Sequence, residues 1–185
     1  MAGQYHIRDE DSIYFLTLTV IEWIDVFTRK DYRDIILKNL SFCRENKGLK
    51  LHAFVIMSNH LHLLASSNQK SEKDLGDIIR DFKKHTANEL YATIRDNPKE
   101  SRREWITHKF EWYGKTTPGN KNIKFWKDGN HPIPIYGNTM MDEKMDYIHL
   151  NPVRAGYVSK ASDWLYSSAI DYSGGKGLIE LDMID

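Results

Sequence analysis

The sequence predicts a single α+β domain, an antiparallel sheet of about four to five strands with helices packed on one face and extra helices beyond them. The first observation is the order of patterned segments, which reads strand, helix, strand, strand, helix. The second is that only Ser58 and Asn59 separate the two central strands, which is too short for a parallel crossover. The third is a length of 185 residues with 41% hydrophobic and 28% charged residues, as expected for one globular domain.

The first half of the chain supplies three strands and a helix. Residues 12–21 alternate apolar and polar side chains, with Thr17 and Thr19 opposite the apolar set, as in a half-buried strand. Residues 31–46 repeat apolar side chains at helical spacing, and Gly48 follows as a stop. Residues 51–57 and 60–66 then predict two strands joined by a tight turn.

The second half predicts more helix than strand. Ser71 and Asp74 resemble a capping box, and the helix behind them has an apolar inner face made of Leu75, Ile78, Ile79, Phe82, Leu90 and Ile94. Asn97-Pro98 begins a further helix that we expect to run to Tyr113 and end at Gly114.

Residues 116–122 predict a loop, and residues 123–126 and 133–136 predict short edge strands because prolines interrupt the second piece. Thr139 is expected to cap a helix over 140–151 that Pro152 ends. Within one domain over 1–185, we interpret 98–124 as a helical and loop insertion and 165–185 as a C-terminal covering tail.

His60 and His62 form the first chemical motif. Side chains two apart in a strand share a face, so both imidazoles project together while Leu61 and Leu63 enter the core. Two imidazoles on an otherwise apolar strand need polar partners to offset their desolvation. A shared divalent cation would satisfy both rings at once.

Tyr147 and Asn151 form the second motif, one turn apart on the last predicted helix, so they point nearly the same way. The Asn151 carboxamide offers a hard oxygen ligand suited to Mg²⁺ or Mn²⁺. The plainer interpretation makes Tyr147 a boundary aromatic and Asn151 a helix-end residue before proline. His149 lies nearly opposite Tyr147 on such a helix, and we do not expect it to be a ligand.

Composition excludes several classes of protein. No apolar run approaches the roughly 20 residues of a membrane span, and residues 1–12 lack the apolar segment of a signal peptide. The lone Cys43 excludes an intramolecular disulfide and is typical of a cytoplasmic protein. No P-loop signals a nucleotide cofactor. The chain has no net charge, but residues 102–127 hold seven basic and two acidic residues, a local charge of +5.

With both motifs in view, the chain resembles the HUH single-tyrosine transposases, in particular the REP-associated tyrosine transposases. The matching segments span most of residues 14–172, and they are the strand at 57–64, Phe125-Trp126, the Tyr147 helix through 156, and residues 164–169. The resemblance implies the ferredoxin-like or RRM-like palm of HUH endonucleases. It implies a cytoplasmic enzyme, a DNA strand transferase, that nicks and rejoins single-stranded or hairpin DNA during transposition or mobilisation of repeat elements.

The same resemblance assigns roles to the two motifs. His60, His62 and Asn151 would hold Mg²⁺ or Mn²⁺ beside the scissile phosphate. Tyr147 would attack this phosphate and form a 5′-phosphotyrosine with a free 3′-hydroxyl. One phosphodiester is exchanged for another, so rejoining needs no nucleotide cofactor. A homodimer is compatible with this chemistry, and so is a monomer.

Several basic and aromatic residues then become candidates for DNA contact. Arg80, Lys83 and Lys84 share one face of the second helix, and Arg154 follows the Tyr147 helix. Trp126 could stack on unpaired bases, as could the tryptophans at 105 and 112. The structural alternatives are that these two tryptophans pack their helix and that the basic face is merely solvated.

Two other functions compete with this one. A domesticated transposase acting as a non-catalytic nucleic-acid-binding module would need no working nucleophile. A replication initiator or conjugative relaxase would use the same active-site logic, but no helicase-like domain or tyrosine pair is seen in the sequence.

Overall fold

A computed structural model describes residue 7 and residues 12–68, 73–119 and 122–184, and it confirms the predicted α+β class. Four strands form one antiparallel sheet in the order β2-β3-β1-β4, with bounds β1 Tyr14–Thr19, β2 Leu49–Ile56, β3 His60–Ser67 and β4 Ile133–Pro134. The α-helices of the described residues are α1 Lys30–Lys47, α2 Leu75–Asp96, α3 Arg103–Thr116, α4 Gly137–Arg154 and α5 Ala169–Tyr172. None of these helices is long and apolar enough to cross a membrane.

The sheet is covered on both faces. Leu16, Leu18, Leu61 and Leu63 point into the main core, which the apolar sides of α1 and α2 complete. The opposite face carries a smaller apolar cluster, Phe15, Ala53, Val55 and Leu64, against Ile148 of α4. Strand alternation therefore sends the odd positions of β3 to the main core and its even positions toward α4.

The pairing of β1 with β3 fixes where the two histidines lie. His62 is opposite Thr17 and His60 is opposite Thr19 in this antiparallel register. A slip of one residue would turn both imidazoles into the main core, where Leu61 and Leu63 now lie, so burial of those leucines fixes the register.

The helix α1 agrees with its prediction to within a residue, but α3 differs from its prediction at both ends. It begins at Arg103, because Glu100 is buried in an ion pair with Arg29 (2.6 Å) instead of opening a helix. It also continues past Gly114 to Thr116. A Cβ on Gly114 would lie 2.5 Å from the carbonyl oxygen of Asn122, so this glycine allows two backbone segments to touch and does not end the helix.

The helix α4 is longer than predicted. It begins at Gly137, before the expected cap Thr139, and passes through Pro152 to Arg154. Pro152 lies in the last turn of α4. Its missing N–H removes one helical hydrogen bond there, and the helix still continues to Arg154. The predicted edge strands shrink to β4 and a single bridge between Trp126 and Val20. The cap of α2 is Asp74, whose side chain accepts from the Asp77 N–H, while Ser71 lies outside the described residues.

The C-terminal segment follows the free edge of β2. The N–H of Ile56 donates to the Tyr166 carbonyl (2.9 Å), and the N–H of Asp182 donates to the Leu51 carbonyl (2.8 Å). Between them, Ser167 forms an isolated bridge with Val55.

Candidate active site

Three aromatic side chains meet where β3 begins and the last turns of α4 cross the sheet. The ring centroids of His60 and His62 are 4.8 Å apart, and those of His62 and Tyr147 are 5.1 Å apart. The strand supplies the first pair by its alternation, and α4 supplies the phenol because Ile148 anchors the helix in the smaller apolar cluster. The structure thus brings together three residues that lie up to 87 positions apart in the sequence.

His62 is fixed on one side and unpartnered on the other. Its Nδ1 lies 2.9 Å from the Thr17 hydroxyl, and its ring stacks on Phe15 at 5.2 Å between centroids. Its Nε2 is buried and has no hydrogen-bond partner among the described residues. A buried nitrogen without a partner is costly, so this atom is suited to a ligand that the protein itself does not supply.

His60 is oriented by its neighbour in the turn. Its Nδ1 lies 2.7 Å from the side-chain oxygen of Asn59, which can only accept, so Nδ1 carries the proton and Nε2 the lone pair. The Asn59 amide nitrogen in turn donates to the Trp23 carbonyl (3.1 Å), which fixes the orientation of this carboxamide.

Burial keeps both imidazoles neutral near pH 7. Desolvation lowers the pKa of His60 to about 4 and that of His62 to about 3, and for His62 the nearby His60 and Lys144 lower it further. A neutral imidazole has the free lone pair that a metal ion requires.

Tyr147 is open to solvent beside the two imidazoles. The side chain is 39% exposed, and its ring meets Phe15 edge to face at 5.7 Å between centroids. The guanidinium carbon of Arg154 lies 5.7 Å from the same ring. A phenol beside a cation and two neutral imidazoles, with solvent access, can receive an anionic substrate.

Asn151 lies one turn after Tyr147 on α4 and is half-buried, and its carboxamide makes no hydrogen bond within the described residues. No group of three or more His, Cys, Asp and Glu side chains among these residues could hold a metal ion. A cation on the two imidazoles would therefore need Asn151, water or substrate oxygens as its remaining ligands.

The other histidines of this region have structural partners. His149 Nε2 lies 2.9 Å from the Ser168 hydroxyl, which ties α4 to the C-terminal segment. His52 has a partner on each ring nitrogen, the Asp182 carbonyl and the Ser66 hydroxyl. His85 lies on the surface of α2 beside Glu89.

The predicted basic face of α2 divides into surface and structural residues. Arg80 and Lys84 are exposed, with Arg80 in an ion pair with Asp77 (2.6 Å). Lys83 instead donates to the Lys127 and Gly129 carbonyls and to the Asn130 side-chain oxygen, at 2.8 to 3.1 Å. Burial lowers the pKa of Lys83 to about 8. Its ammonium group joins α2 to the loop before β4, so we omit Lys83 from the proposed DNA contacts.

The expectation that Trp126 stacks on DNA bases is wrong for this fold. Its side chain is 5% exposed, packs against Phe27 and Phe125, and donates its indole N–H to the Thr86 hydroxyl (3.2 Å). The tryptophans at 105 and 112 are each 49% exposed on α3, so neither belongs to the core, and the Trp112 ring packs edge to face on Tyr113 of its own helix at 4.7 Å between centroids. Burial depends on which helix face meets the core, and α3, which packs against α2, turns Ile106 and Phe110 inward.

Sequence reasoning missed two residues beside the imidazoles. The contact of Thr17 could have been predicted from the strand pattern. Thr17 lies on the polar face of β1, and pairing with a neighbouring strand places His62 opposite it. Trp23 gave no signal, because its position depends on an unusual backbone conformation that the sequence does not mark.

Comparison with known proteins then identifies the family. The family model for IS200-like transposases matches residues 11–128, more than half of the chain. The chain therefore belongs to the IS200-like transposase family. The matched range contains His60 and His62 and ends before Tyr147. No protein of curated function matches the chain.

A solved structure of a REP-associated tyrosine transposase bound to a REP hairpin shares the fold. The two proteins superpose with a TM-score of 0.63 at 19% identity, and the likeness covers all of this chain and 92% of the other. The family model and the shared fold together bear out the resemblance seen in the sequence, and the likeness in fold also covers the α4 region that the family model leaves out.

The contrast between Lys83 and Lys84 gives a testable prediction. Lys83→Met leaves three oxygens without their donor, two of them half-buried and the Gly129 carbonyl exposed, and is expected to lower the free energy of unfolding by about 1–3 kcal/mol. Lys84→Met removes an exposed side chain and should change it by less than about 0.5 kcal/mol. Urea unfolding of both variants measures the difference, and equal stabilities would contradict the structural role of Lys83.

Proposed function

We propose that this chain is a DNA strand transferase that nicks and rejoins single-stranded hairpin DNA through a covalent phosphotyrosine. The observation that carries the proposal is the position of Tyr147, an exposed phenol whose ring lies 5.1 Å from one of two neutral imidazoles on a strand. Membership of a transposase family supports a reaction on DNA phosphodiesters. The hairpin in the structurally similar transposase supports the form of the substrate.

The residues fit a divalent cation. His62 Nε2 is buried and has no partner among the described residues, and the His60 ring, whose Nε2 carries the lone pair, lies next to it on the same face of β3 with 4.8 Å between ring centroids. His60, His62 and Asn151 would hold Mg²⁺ or Mn²⁺. Such an ion, when bound, neutralises charge on the scissile phosphate and polarises it toward attack.

The chain's own residues would then act as follows. The exposed Tyr147 phenol gives its proton to solvent water, and its oxygen bonds to phosphorus while the bond from phosphorus to the 3′ oxygen breaks. The 3′ oxygen takes a proton from solvent and leaves as the 3′-hydroxyl, so the step consumes no net proton. The product is a 5′-phosphotyrosine, and attack by a 3′-hydroxyl on this ester reverses the step and frees the phenol. Arg154, above the Tyr147 ring, would attract the phosphate backbone. Phe15 and the Thr17 hydroxyl hold the His62 ring in place throughout.

Binding should prefer hairpin DNA with unpaired flanks over blunt duplex, and it should weaken as salt rises. The exposed cations Arg80, Lys84 and Arg154, with the +5 segment at 102–127, would displace counterions from DNA phosphates. Fluorescence anisotropy at several salt concentrations measures the slope of log K against log salt. Equal affinity for blunt duplex at fixed ionic strength would contradict the preference.

The reaction itself is tested by mixing the protein with a hairpin oligonucleotide labelled on the 3′ side of each candidate nick, with and without Mn²⁺. A band of protein plus oligonucleotide on a denaturing gel is the expected result. Hairpin binding without any such band in Mn²⁺ or Mg²⁺ would overturn the proposed chemistry and favour the non-catalytic binding module.

A further inference from the structure

Beside the imidazole pair, the loop after β1 presents Trp23 in an unusual backbone conformation. Glu22 and Trp23 both have positive φ, 53° and 57°, in the left-handed region that residues with a side chain rarely adopt. Two consecutive residues of this kind persist only where the surrounding structure imposes them, and such places are concentrated at functional sites.

The surroundings impose this conformation from both sides. On one side the turn before β3 holds the loop, since the N–H groups of Val20 and Phe27 donate to the Asn59 and Ser58 carbonyls (2.9 and 2.8 Å). On the other side the Ile21 N–H donates to the Phe125 carbonyl (2.9 Å). The Asn59 side chain, which also orients His60, donates to the Trp23 carbonyl. The position of the indole is therefore coupled to that of the His60 ring.

These hydrogen bonds hold the Trp23 indole outside the core. Trp23 is 55% exposed, and its ring centroid lies 5.9 Å from that of His60 at an interplanar angle of 79°. Burial of the ring does not explain the strain, because most of its surface is in solvent. An exposed flat ring beside a site for phosphodiesters has the shape and chemistry to stack on an unpaired base.

A cation accompanies the ring. The Lys127 ammonium lies 4.3 Å from the Trp23 centroid and forms no ion pair with an acidic side chain in the described part of the chain. The backbone N–H of Lys127 donates to the Thr19 carbonyl at the end of β1 (2.8 Å). This hydrogen bond holds the Lys127 backbone next to the loop that contains Trp23. The pair offers a stacking surface and a positive charge side by side, which match the base and phosphate of one nucleotide.

We infer that Trp23 and Lys127 bind an unpaired nucleotide adjacent to the phosphodiester that Tyr147 attacks, with the base on the indole and its phosphate near the ammonium. The inference rests on the proposed function for the location of the reacting bond. Trp23 is thereby a positioning residue, because it holds the strand in register with His60 and does not touch the reacting atoms.

The test uses the full chain without metal, so that no cleavage occurs, and a DNA hairpin with single-stranded flanks. 2-Aminopurine replaces one unpaired base at a time, and its fluorescence falls when it stacks on an aromatic ring. With the unchanged protein, we expect quenching at one flanking position. Trp23→Ala should abolish the quenching there and weaken binding about 5-fold to 100-fold, and Lys127→Met should reduce the salt slope by about one.

Phe42→Ala is the matched control, since Phe42 is 50% exposed on α1 and belongs to no part of the site; it should change neither signal. Trp23→Gly separates stacking from folding. Glycine accepts the positive φ without strain, so Trp23→Gly should melt about 2–4 °C above Trp23→Ala while losing the quenching equally. If Trp23 affected DNA binding only through the stability of the fold, Trp23→Gly would bind DNA better than Trp23→Ala as well as being more stable.

The outcomes distinguish this inference from the proposed function. If hairpin DNA forms the covalent adduct and Trp23→Ala binds and quenches as the unchanged protein does, the inference is wrong and the proposed function stands. If no adduct forms but quenching depends on Trp23, the nucleotide site stands and the chemistry does not. If no unpaired position is quenched in a Trp23-dependent manner, the inference is overturned whatever the adduct assay gives.

Discussion

Tyr147→Phe is expected to abolish the covalent protein–DNA adduct and leave hairpin binding almost unchanged. The substitution removes one oxygen and keeps the ring in its contacts with Phe15 and His62. The Tyr147 hydroxyl makes no hydrogen bond within the described residues, so the free energy of unfolding should change by less than about 0.5 kcal/mol. Denaturing gels measure the adduct, and anisotropy measures binding of the same oligonucleotide.

Tyr157→Phe is the matched control. Tyr157 follows the same helix, is 47% exposed and lies near the turn before β3, since its hydroxyl donates to Ser58 (3.2 Å). It is therefore a second exposed phenol near the turn that carries His60. If Tyr147→Phe still forms the adduct and Tyr157→Phe does not, the nucleophile is Tyr157 and the proposed assignment is wrong.

His60→Ala is expected to lower the rate of adduct formation about 100-fold or more, with hairpin binding retained. The loss of one imidazole from the cation site removes charge stabilisation that is worth several kcal/mol in metal-assisted reactions. High Mn²⁺ should restore part of the rate of His60→Ala by mass action, whereas it should do nothing for Tyr147→Phe. His85→Ala, on the surface of α2, serves as the control.

The pH dependence of metal binding follows from the burial of His60 and His62. An ordinary histidine has a pKa near 6.5 and would lose its cation to protons below that value. With the pKa values of His60 and His62 lowered to about 4 and 3, both rings stay neutral and able to bind metal at pH 5.5. We expect the Mn²⁺ concentration for half-maximal adduct formation to differ less than about threefold between pH 7.5 and 5.5. A rise of tenfold or more would show that the rings titrate normally.

The parts of the fold with strong periodicity could be predicted from sequence. The helix α1 and the core face of α2 followed from apolar spacing, and the shared face of His60 and His62 followed from strand alternation. The approach of Tyr147 to this pair could only be expected from the family resemblance, because α4 has a weak apolar stripe and reaches the sheet by tertiary packing.

Other features could not be predicted, because tertiary contacts decide them. Glycine and proline usually end helices, yet Gly114 and Pro152 both lie inside one. Gly114 is there because the backbone at Asn122 comes too close for a side chain, and Pro152 is tolerated because it lies in the last turn of α4. Lys83 carries the charge expected of a residue that contacts DNA, but its ammonium group donates three hydrogen bonds to carbonyl and amide oxygens of its own chain. Trp23 depends on a left-handed backbone at two residues that are not glycine, for which sequence gives no marker.

The covering of β2 by the C-terminal segment bears on how the protein behaves in a crowded solution. A sheet edge of eight residues with free N–H and C=O groups is a template on which other extended chains can add. Here the backbone around Leu51 and Ile56 is already occupied by the chain's own residues, and the opposite edge ends in a two-residue strand that contains Pro134. Removal of the residues after Trp164 would uncover the longer edge and convert a self-contained sheet into a seed for aggregation.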